Sequence, residues 1–257
     1  MSLYIERAGR GPVPLVLIHG WAMHGGVFAP LVEALAERCA LYVVDLPGHG
    51  RSRHCGLPLE PSACARAIAA ATPPAAWLGW SLGGLVALAA ALEQPARVQA
   101  LAMLCATPKF VRDADWPHGN DPALVRRLAQ DLETDYHATI ERFLALEAMG
   151  SQDPRAELRR LRGEVFAHGE PELRVLQEGL RLLEDTDLRP ALAGLAQPSA
   201  WLAGRRDRLV HPAAMRWSAQ ASGGRFAEIA HAGHAPFLGH AGALAEALAP
   251  LLEQVPA

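Results

Sequence analysis

The sequence predicts an α/β domain in which a mostly parallel sheet is flanked by helices and interrupted by an inserted, all-helical segment. In the first 105 residues, and again after residue 198, short continuous apolar runs alternate with amphipathic helical stretches. Such strands, separated by helices, are typical of parallel sheets covered on both faces. From Pro108 to about Thr186 there is no strand-like run, which indicates an insertion rather than a continuation of the sheet.

Each element of the N-terminal half follows from its own pattern. The strands are aliphatic or β-branched runs that end in turn-forming residues, and the helices repeat apolar residues with a period near 3.6. The predicted strands are 14–18 (P-L-V-L-I), 40–45 (A-L-Y-V-V-D), 75–80 (A-A-W-L-G-W) and 98–105 (V-Q-A-L-A-M-L-C), and the predicted helices are 27–38, 60–71 and a segment from Leu82.

The second half predicts a helical lid followed by the end of the sheet. Ligand sites in open α/β sheets lie at the carboxyl ends of the strands, where an insertion can cover them. We therefore assign residues 1–108 and 188–257 to the core and 109–187 to the lid. Helical patterns occupy 121–132, 136–149, 155–167 and 171–184; a strand at 198–204, a helix near 212–220, a strand at 225–230 and a helix over 241–253 follow.

Composition limits the classes of function. Of the 257 residues, 51% are hydrophobic and 20% are charged, which favours a large core over disorder. The net charge of −3 argues against general binding to nucleic acid or to a membrane surface. The four cysteines have no metal-ligand spacing, the N-terminal stretch has no apolar signal core, and the longest apolar run, 82–92, is too short for a membrane span. We expect a cytoplasmic monomer that needs no metal or organic cofactor.

A G-x-S-x-G motif lies between a predicted strand and a predicted helix, at Gly79-Trp80-Ser81-Leu82-Gly83. In this context the motif forms a sharp turn that exposes a nucleophilic serine. The alternative is that Ser81 only caps the following helix. Because a helix cap does not require glycine two residues before and two residues after it, we favour the nucleophile.

A serine nucleophile needs a base and an orienting carboxylate, in the chain order Ser, Asp or Glu, His. Asp207 directly follows the strand that ends at Gly204, and His234 lies in H-A-G-H-A-P-F after the next strand. Both therefore project from the same sheet edge as Ser81. The alternatives are His231 as the base, and Asp185 or Asp187 as the acid; these two aspartates lie in the return from the lid.

An ester hydrolase also needs N–H donors for the developing oxyanion. The predicted donors are the backbone amides of Leu82, after the nucleophile, and Trp21, in the loop after the first buried strand. We interpret His19 as a residue that shapes this loop. The stretch G-H-G-R-S-R (48–53) lacks the third glycine of a dinucleotide motif, so a nucleotide site is disfavoured.

Together, H-G-W (19–21), V-D-L-P-G-H-G-R-S (44–52) and G-W-S-L-G-G (79–84) resemble the α/β-hydrolase superfamily. More narrowly, R-V-Q-A-L, D-W-P, E-R-F-L-A-L and H-A-P-F are similar to the pimeloyl-[acyl-carrier protein] methyl ester carboxylesterases of biotin synthesis. That resemblance implies cleavage of a methyl ester on a pimeloyl chain, with Ser81, Asp207 and His234 as the triad. It also implies an acyl site lined by Ser81, His234, Trp21, Leu82 and the segment Phe143, Leu144, Ala145, Leu146 and Glu147. On helical spacing, Phe143 and Leu146 can face one groove.

The resemblance further implies acyl carrier protein, which is acidic, as the partner. Arg155, Arg159 and Arg162 fall on one stripe of a predicted helix, and Arg142 begins the acyl-lining segment. Arginine suits carboxylates and phosphates, although the stripe is also compatible with an ordinary solvated face balanced by Glu157 and Glu164. Two positions depart from the family pattern: Ala138 replaces an arginine, and Glu147 replaces an uncharged glutamine.

The sequence thus predicts a serine carboxylesterase. The alternatives are a general short-chain esterase, a C–C bond hydrolase or a cofactor-free haloperoxidase, each of which would use the same triad. A non-catalytic binding protein on the same fold is the alternative from a different class.

Overall fold

A seven-stranded sheet organises the chain. The computed structural model describes residues 3–256, and its strand order is β1-β3-β2-β4-β5-β6-β7. β1 pairs with β3 in the antiparallel sense, and every other pairing in the sheet is parallel. The strands are β1 (Ile5–Ala8), β2 (Val13–Ile18), β3 (Cys39–Val44), β4 (Ala75–Trp80), β5 (Val98–Leu104), β6 (Ser199–Gly204) and β7 (Arg225–Ile229).

Ten α-helices are present among the described residues. Short 3-10 helices occupy Gly25–Phe28, Gly50–Ser52 and Arg189–Gly194. The α-helices are α1 (Ala29–Leu35), α2 (Pro61–Ala71), α3 (Leu82–Glu93), α4 (Pro122–Thr134), α5 (Tyr136–Ala148), α6 (Pro154–Val165), α7 (Leu173–Asp185), α8 (Pro212–Ser222), α9 (Pro236–Gly239) and α10 (Ala241–Leu252).

The centre of the sheet is the most apolar part of the molecule. All residues of β4 and β6 are buried, and so are the last four of β2. α3 is buried over nearly its whole length because it packs beneath the sheet on β4 and β5. Since a continuous apolar strand has no solvent-facing side, these strands lie between helices on both faces. This buried centre holds the carboxyl ends of β4 and β6 in fixed positions.

Four helices, α4 to α7, lie in the chain between β5 and β6, within the region assigned to the lid. Aspartates cap three of them: the side chains of Asp121, Asp135 and Asp153 accept backbone N–H bonds at the starts of α4, α5 and α6. α4 packs against α5 and α7, and α5 packs against α6. The boundary of the lid at residues 109–187 stays a prediction.

Some elements differ from the sequence prediction. β1 was not predicted, because I-E-R-A is a short antiparallel edge strand whose middle residues are exposed and charged. The helix predicted over 27–38 is wrong in extent: the chain makes a 3-10 turn first, and α1 ends at Leu35. The short helix α9 was also missed, since four residues give no periodic signal.

No helix among residues 3–256 has both the length and the apolar character that a membrane crossing requires.

Candidate active site

Ser81 lies at the sharp turn between β4 and α3. Its backbone has φ 54° and ψ −123°, a conformation that residues other than glycine rarely adopt. The Ser81 N–H donates to the Leu104 carbonyl, and the Ser81 carbonyl accepts from Gly84. The turn is therefore held from both sides, although its backbone is strained.

The glycines of the motif are required by close backbone approach. A Cβ atom on Gly79 would lie 2.4 Å from the Gly83 carbonyl oxygen, and one on Gly83 would lie 2.4 Å from the Ile18 oxygen. Any larger residue at either position would push the helix away from the strand. The spacing read from the sequence thus has a steric cause: Gly79 closely approaches the start of α3, and Gly83 closely approaches the end of β2.

Three side chains from distant loops form one hydrogen-bonded chain. His234 Nε2 lies 2.9 Å from Ser81 Oγ, and His234 Nδ1 lies 2.9 Å from Asp207 Oδ2. All three residues are buried. With the proton on Nδ1, the imidazole donates to the carboxylate and leaves Nε2 to accept from the serine hydroxyl. This is the geometry that general-base activation of a serine needs.

Backbone contacts fix the acid and the base. Asp207 Oδ1 accepts the Leu209 and Val210 N–H groups at 2.8 and 3.0 Å, so each carboxylate oxygen has its own partners. The Trp80 indole N–H donates to the His234 carbonyl at 2.7 Å. The residue before Ser81 therefore also anchors the loop that carries the histidine.

The alternative residues lie elsewhere. His231 is exposed, and its Nδ1 pairs with the Arg206 guanidinium. Asp187 forms ion pairs with Lys109 and Arg189. The hydrogen bonds from Arg189 lower the pKa of the Asp187 carboxyl to about 2. Asp185 is the last residue of α7. The structure brings none of these side chains to Ser81.

The two predicted oxyanion donors are free of other protein partners. Within residues 3–256, neither the Trp21 nor the Leu82 backbone N–H donates to another protein atom. The Trp21 indole instead joins the core to the lid: Nε1 donates to the Leu176 carbonyl, and the ring packs edge-on against Phe143. Both amides are thus available to a ligand, and their role as oxyanion donors stays a proposal.

The loop histidines are structural. His19 Nε2 accepts the Leu46 N–H, and burial followed by the nearby His49 lowers the pKa of His19 well below its usual range. Burial also lowers the pKa of His49 to about 4. Both rings are therefore neutral at pH 7, and His19 shapes the loop that carries Trp21.

A narrow apolar cavity opens directly above Ser81 and His234. Its walls come mainly from the lid, and Asn120 is the polar side chain among them. The apolar lining is Phe110, Leu124, Val125, Leu128, Phe143, Leu180, Leu183 and Leu209. The residues from α4 and α7 were not predicted as site residues, although the apolar stripe of α4 at 124, 125 and 128 is a signal that could have found them.

Of the predicted acyl-lining segment, residues 143–147, only one residue lines this cavity. Phe143 lines it, but Leu144 is buried in the core and the Glu147 carboxyl is buried without a hydrogen-bond partner. Ala145 and Leu146 lie on the outer side of α5, in a separate surface depression. The expectation that Phe143 and Leu146 share one groove is therefore corrected: α5 presents them to different sides.

The predicted docking arginines differ in their surroundings. Arg142 donates to Asp131 and Thr139, and Arg162 pairs with Glu141. Arg155 and Arg159 are exposed, and no acidic side chain of the described chain lies within ion-pair distance of either. The balancing role expected of Glu157 is corrected, since this residue is buried.

One group of side chains has the atoms for metal binding: single ligand atoms of Cys105, Asp207 and His234 lie within 4.8 Å of one another. Burial raises the pKa of the Cys105 thiol well above its usual range, so sulfur stays protonated. Metal ions bind the thiolate, and the other two residues are already bonded to each other. The set therefore fits a proton-transfer site better than a metal centre.

Known proteins resemble the chain at two levels. Its residues 13–241 match the family described as α/β hydrolase fold. Two solved structures align with it: an esterase from Exiguobacterium antarcticum (TM-score 0.87, 21% identity, 98% of this chain and 95% of that one) and a bromoperoxidase from Bacillus anthracis (0.86, 22%, 98% and 95%). At these identities the likeness shows the fold alone.

Two relatives are much closer in sequence. A pimeloyl-[acyl-carrier protein] methyl ester esterase of Stenotrophomonas maltophilia is 58% identical over 96% of this chain and 95% of its own length. One of Xanthomonas campestris pv. campestris is 54% identical over 99% of this chain and 100% of its own. The chain therefore belongs to the α/β hydrolase family and, within it, to the pimeloyl-[acyl-carrier protein] methyl ester esterases.

Proposed function

We propose that this chain is a serine carboxylesterase that hydrolyses the methyl ester of pimeloyl-[acyl-carrier protein] methyl ester, in the synthesis of biotin. The observation that carries the chemistry is the buried chain of hydrogen bonds from Ser81 through His234 to Asp207. The substrate class rests on the high identity to relatives that bear this name.

The reaction follows from the geometry in two halves. Ser81 Oγ attacks the ester carbonyl carbon while His234 Nε2 takes the hydroxyl proton, and Asp207 stabilises the imidazolium. The negative oxygen of the tetrahedral intermediate accepts the Trp21 and Leu82 N–H groups. When the intermediate collapses, the methoxy oxygen leaves as methanol with the proton from His234, and an acyl-enzyme remains.

Water completes the cycle. His234 removes a proton from the water as it attacks the acyl-enzyme, and then returns this proton to Ser81 as the carboxylic acid leaves. The released acid then gives its own proton to solvent and becomes the carboxylate. The apolar walls above Ser81 suit the methylene chain of a pimeloyl group, because they hold it by burial rather than by polar contacts.

The outer side of the lid supplies a path for a carrier-bound chain. The depression that contains Ala145, Leu146 and Arg142 shares Leu124 and Leu128 with the cavity above Ser81. One layer of α4 side chains thus separates the surface from the catalytic serine. We infer that the acyl chain enters here, and that residues 109–187 act as a lid that admits it.

Arg155 and Arg159 are the best candidates to receive the acidic carrier. Their guanidinium groups are exposed and have no ion-pair partner among residues 3–256, whereas Arg142 and Arg162 are already bonded to Asp131 and Glu141. Acidic helices and phosphates both match the fork of donors that arginine presents. The protein is expected to act as a monomer, which light scattering tests.

The central experiment compares Ser81→Ala with the unchanged enzyme. We expect kcat to fall by about 10⁴-fold or more on both carrier-bound pimeloyl methyl ester and a short p-nitrophenyl ester. A fluorophosphonate probe should label the unchanged enzyme and not the variant. Unreduced turnover by Ser81→Ala, with the fold intact, would refute the serine mechanism.

The substrate assignment has its own test. We expect kcat/KM for the carrier-bound methyl ester to exceed that for methyl esters of similar length without the carrier. Equal values of kcat/KM would indicate a general short-chain esterase and would refute the assignment of a carrier-bound substrate.

A further inference from the structure

Two glutamates on adjacent helices between β5 and β6 bury their carboxyl groups, and each is repelled by the charge of Asp207. Glu147, on α5, is fully buried, and neither of its carboxyl oxygens has a hydrogen-bond partner among residues 3–256. Glu157, on the adjacent helix α6, is 7% exposed, and its Oε1 also lacks a partner. An ionised carboxylate without a partner is strongly disfavoured in such surroundings, so both groups favour the neutral form.

The turn between these two helices rests on both loops of the triad. Gly150 has φ 87°, and a Cβ placed on it would lie 2.2 Å from the Arg206 carbonyl oxygen. A Cβ on Gly233 would lie 3.0 Å from the Ser151 nitrogen and 3.1 Å from the Met149 oxygen. Arg206 directly precedes Asp207, and Gly233 directly precedes His234. Any displacement of residues 149–151 therefore changes the packing behind both side chains.

We propose that Glu147 and Glu157 are positioning residues whose neutral carboxyl groups keep the α5–α6 turn packed on the loops of Asp207 and His234, and that ionisation of the pair loosens this turn and lowers activity at alkaline pH. This proposal concerns the esterase reaction given above, and its test by activity rests on that proposed function. The packing of the turn is independent of that reaction.

The surroundings of the pair oppose ionisation. Burial, followed by repulsion from Glu157 and Asp207, raises the pKa of Glu147 well above its usual range. Burial also raises the pKa of Glu157 to about 8, against the opposing effects of the Ser151 hydroxyl and the Arg160 guanidinium, with Asp207 adding to the rise. Arg160 donates to the Leu238 carbonyl and does not form an ion pair with Glu157.

The other titratable groups near the turn do not compensate a new charge. Cys105, at the end of β5, is a protonated thiol whose raised pKa reflects burial first, and then the negative charge of Asp207. His234 is bonded to Asp207, and the exposed His231 is bonded to Arg206. Glu157 also lines an open surface cavity with Asp153, Arg160 and His240, and none of these three forms an ion pair with it. As pH rises through about 8, the first negative charge of the pair thus appears without an ion-pair partner and is repelled by Asp207.

The test is the pH profile of kcat/KM between pH 5.5 and 10, with a short methyl ester followed by pH-stat. Glutamine keeps the size of glutamate but cannot ionise. We expect the unchanged enzyme to lose activity with an alkaline midpoint near 8, Glu157→Gln to move this midpoint up by at least one pH unit, and Glu147→Gln/Glu157→Gln to abolish the decline. The acid limb should keep its midpoint in all of them.

The matched control is Glu141→Gln, which removes a carboxylate on the same helix that is 37% exposed and paired with Arg162. It should retain the alkaline limb of the unchanged enzyme. An alkaline midpoint that is the same in the unchanged enzyme, Glu157→Gln and the double variant would overturn the proposal. So would a flat profile in the unchanged enzyme.

A second readout does not depend on catalysis. Hydrogen exchange of amides 148–152 should accelerate between pH 7 and 9.5 beyond the intrinsic base-catalysed rate, and this excess should disappear in the double variant. If the enzyme hydrolyses no ester at any pH, the proposed reaction fails, yet the exchange data still decide the role of the pair. Equal excess exchange in both proteins would refute it.

Discussion

At the scale of single residues, the site depends on a few atoms held under strain. Ser81 keeps a left-handed backbone conformation because Leu104 and Gly84 bond its N–H and carbonyl groups. Such a conformation costs about 1–3 kcal/mol for a residue with a Cβ atom. This conformation points Oγ toward His234. The arrangement that favours reaction therefore lowers the stability of the fold at this position.

A matched pair of substitutions measures this strain. Both Ser81→Ala and Ser81→Gly remove the hydroxyl, but only glycine removes the Cβ atom. We expect Ser81→Gly to have a free energy of unfolding about 1 kcal/mol higher than Ser81→Ala, since relief of strain exceeds the entropy that glycine adds to the unfolded chain. Urea denaturation of the two variants checks this. A less stable Ser81→Gly would mean that the turn is not strained.

The candidate residues at this scale could be proposed from the sequence because the patterns that mark them are local. The G-x-S-x-G spacing reports the close approach at Gly79 and Gly83, and the positions of Asp207 and His234 directly after strands report which sheet edge they occupy. The side-chain distances themselves are not local, since they depend on how β4, β6 and β7 lie in the sheet.

At the scale of elements, helices that lie in the chain between β5 and β6 form most of the wall around the cavity above Ser81. α4, α5 and α7 supply most of the cavity wall, while Trp21 joins the core to α7 through Leu176. The helical pattern predicted these helices well, but not which side of each helix meets the site. Phe143 and Leu146 are three residues apart on α5 and were expected together, yet the packing of α4 against α5 separates them.

The exposed arginines of α6 give a prediction at this scale. Removing both in Arg155→Ala/Arg159→Ala should lower kcat/KM for the carrier-bound ester about tenfold, because two charge-assisted contacts to the acidic partner are lost. Activity on a short free ester should not change. The effect should shrink as ionic strength rises, since exposed charges are screened.

The control for this experiment is Arg181→Ala, which removes another exposed lid arginine, on α7, that has no ion-pair partner among the described residues. It should leave both activities as they are. If the double variant of α6 behaves like this control on the carrier-bound ester, the stripe is an ordinary solvated surface.

At the scale of the whole molecule, buried acids couple stability to pH. Glu157 has a pKa of about 8 in the folded chain, against an ordinary value of 4.5. Between these values the unfolded chain has released the proton that the native chain retains. The resulting contribution to stability is complete below about pH 4.5, and is lost as pH rises toward 8.

We therefore expect the free energy of unfolding to fall between pH 5 and pH 8 by up to about 1.4 kcal/mol per pH unit for each such group. Glu157→Gln should flatten this dependence, since glutamine holds no titrating proton. Urea denaturation of both proteins at several pH values measures the slopes. Parallel slopes would show that the Glu157 carboxyl is ionised, or accessible to solvent, in the native state.

The sequence by itself determined the α/β class, and it predicted the helical insertion and the reactive side chains. Each of these is encoded by patterns within a few residues: continuous apolar strands, helical periodicity and glycines at a turn. It did not reveal β1, whose four residues are half exposed and gain their strand conformation by pairing with β3.

Only the tertiary structure decided where the lid side chains point and what surrounds Glu147. From the sequence, that residue belonged to the acyl site; in the fold its carboxyl is fully buried and is repelled by Glu157 and Asp207. The physical reason is that burial and electrostatic environment are set by contacts between segments far apart in the chain, which no local pattern records.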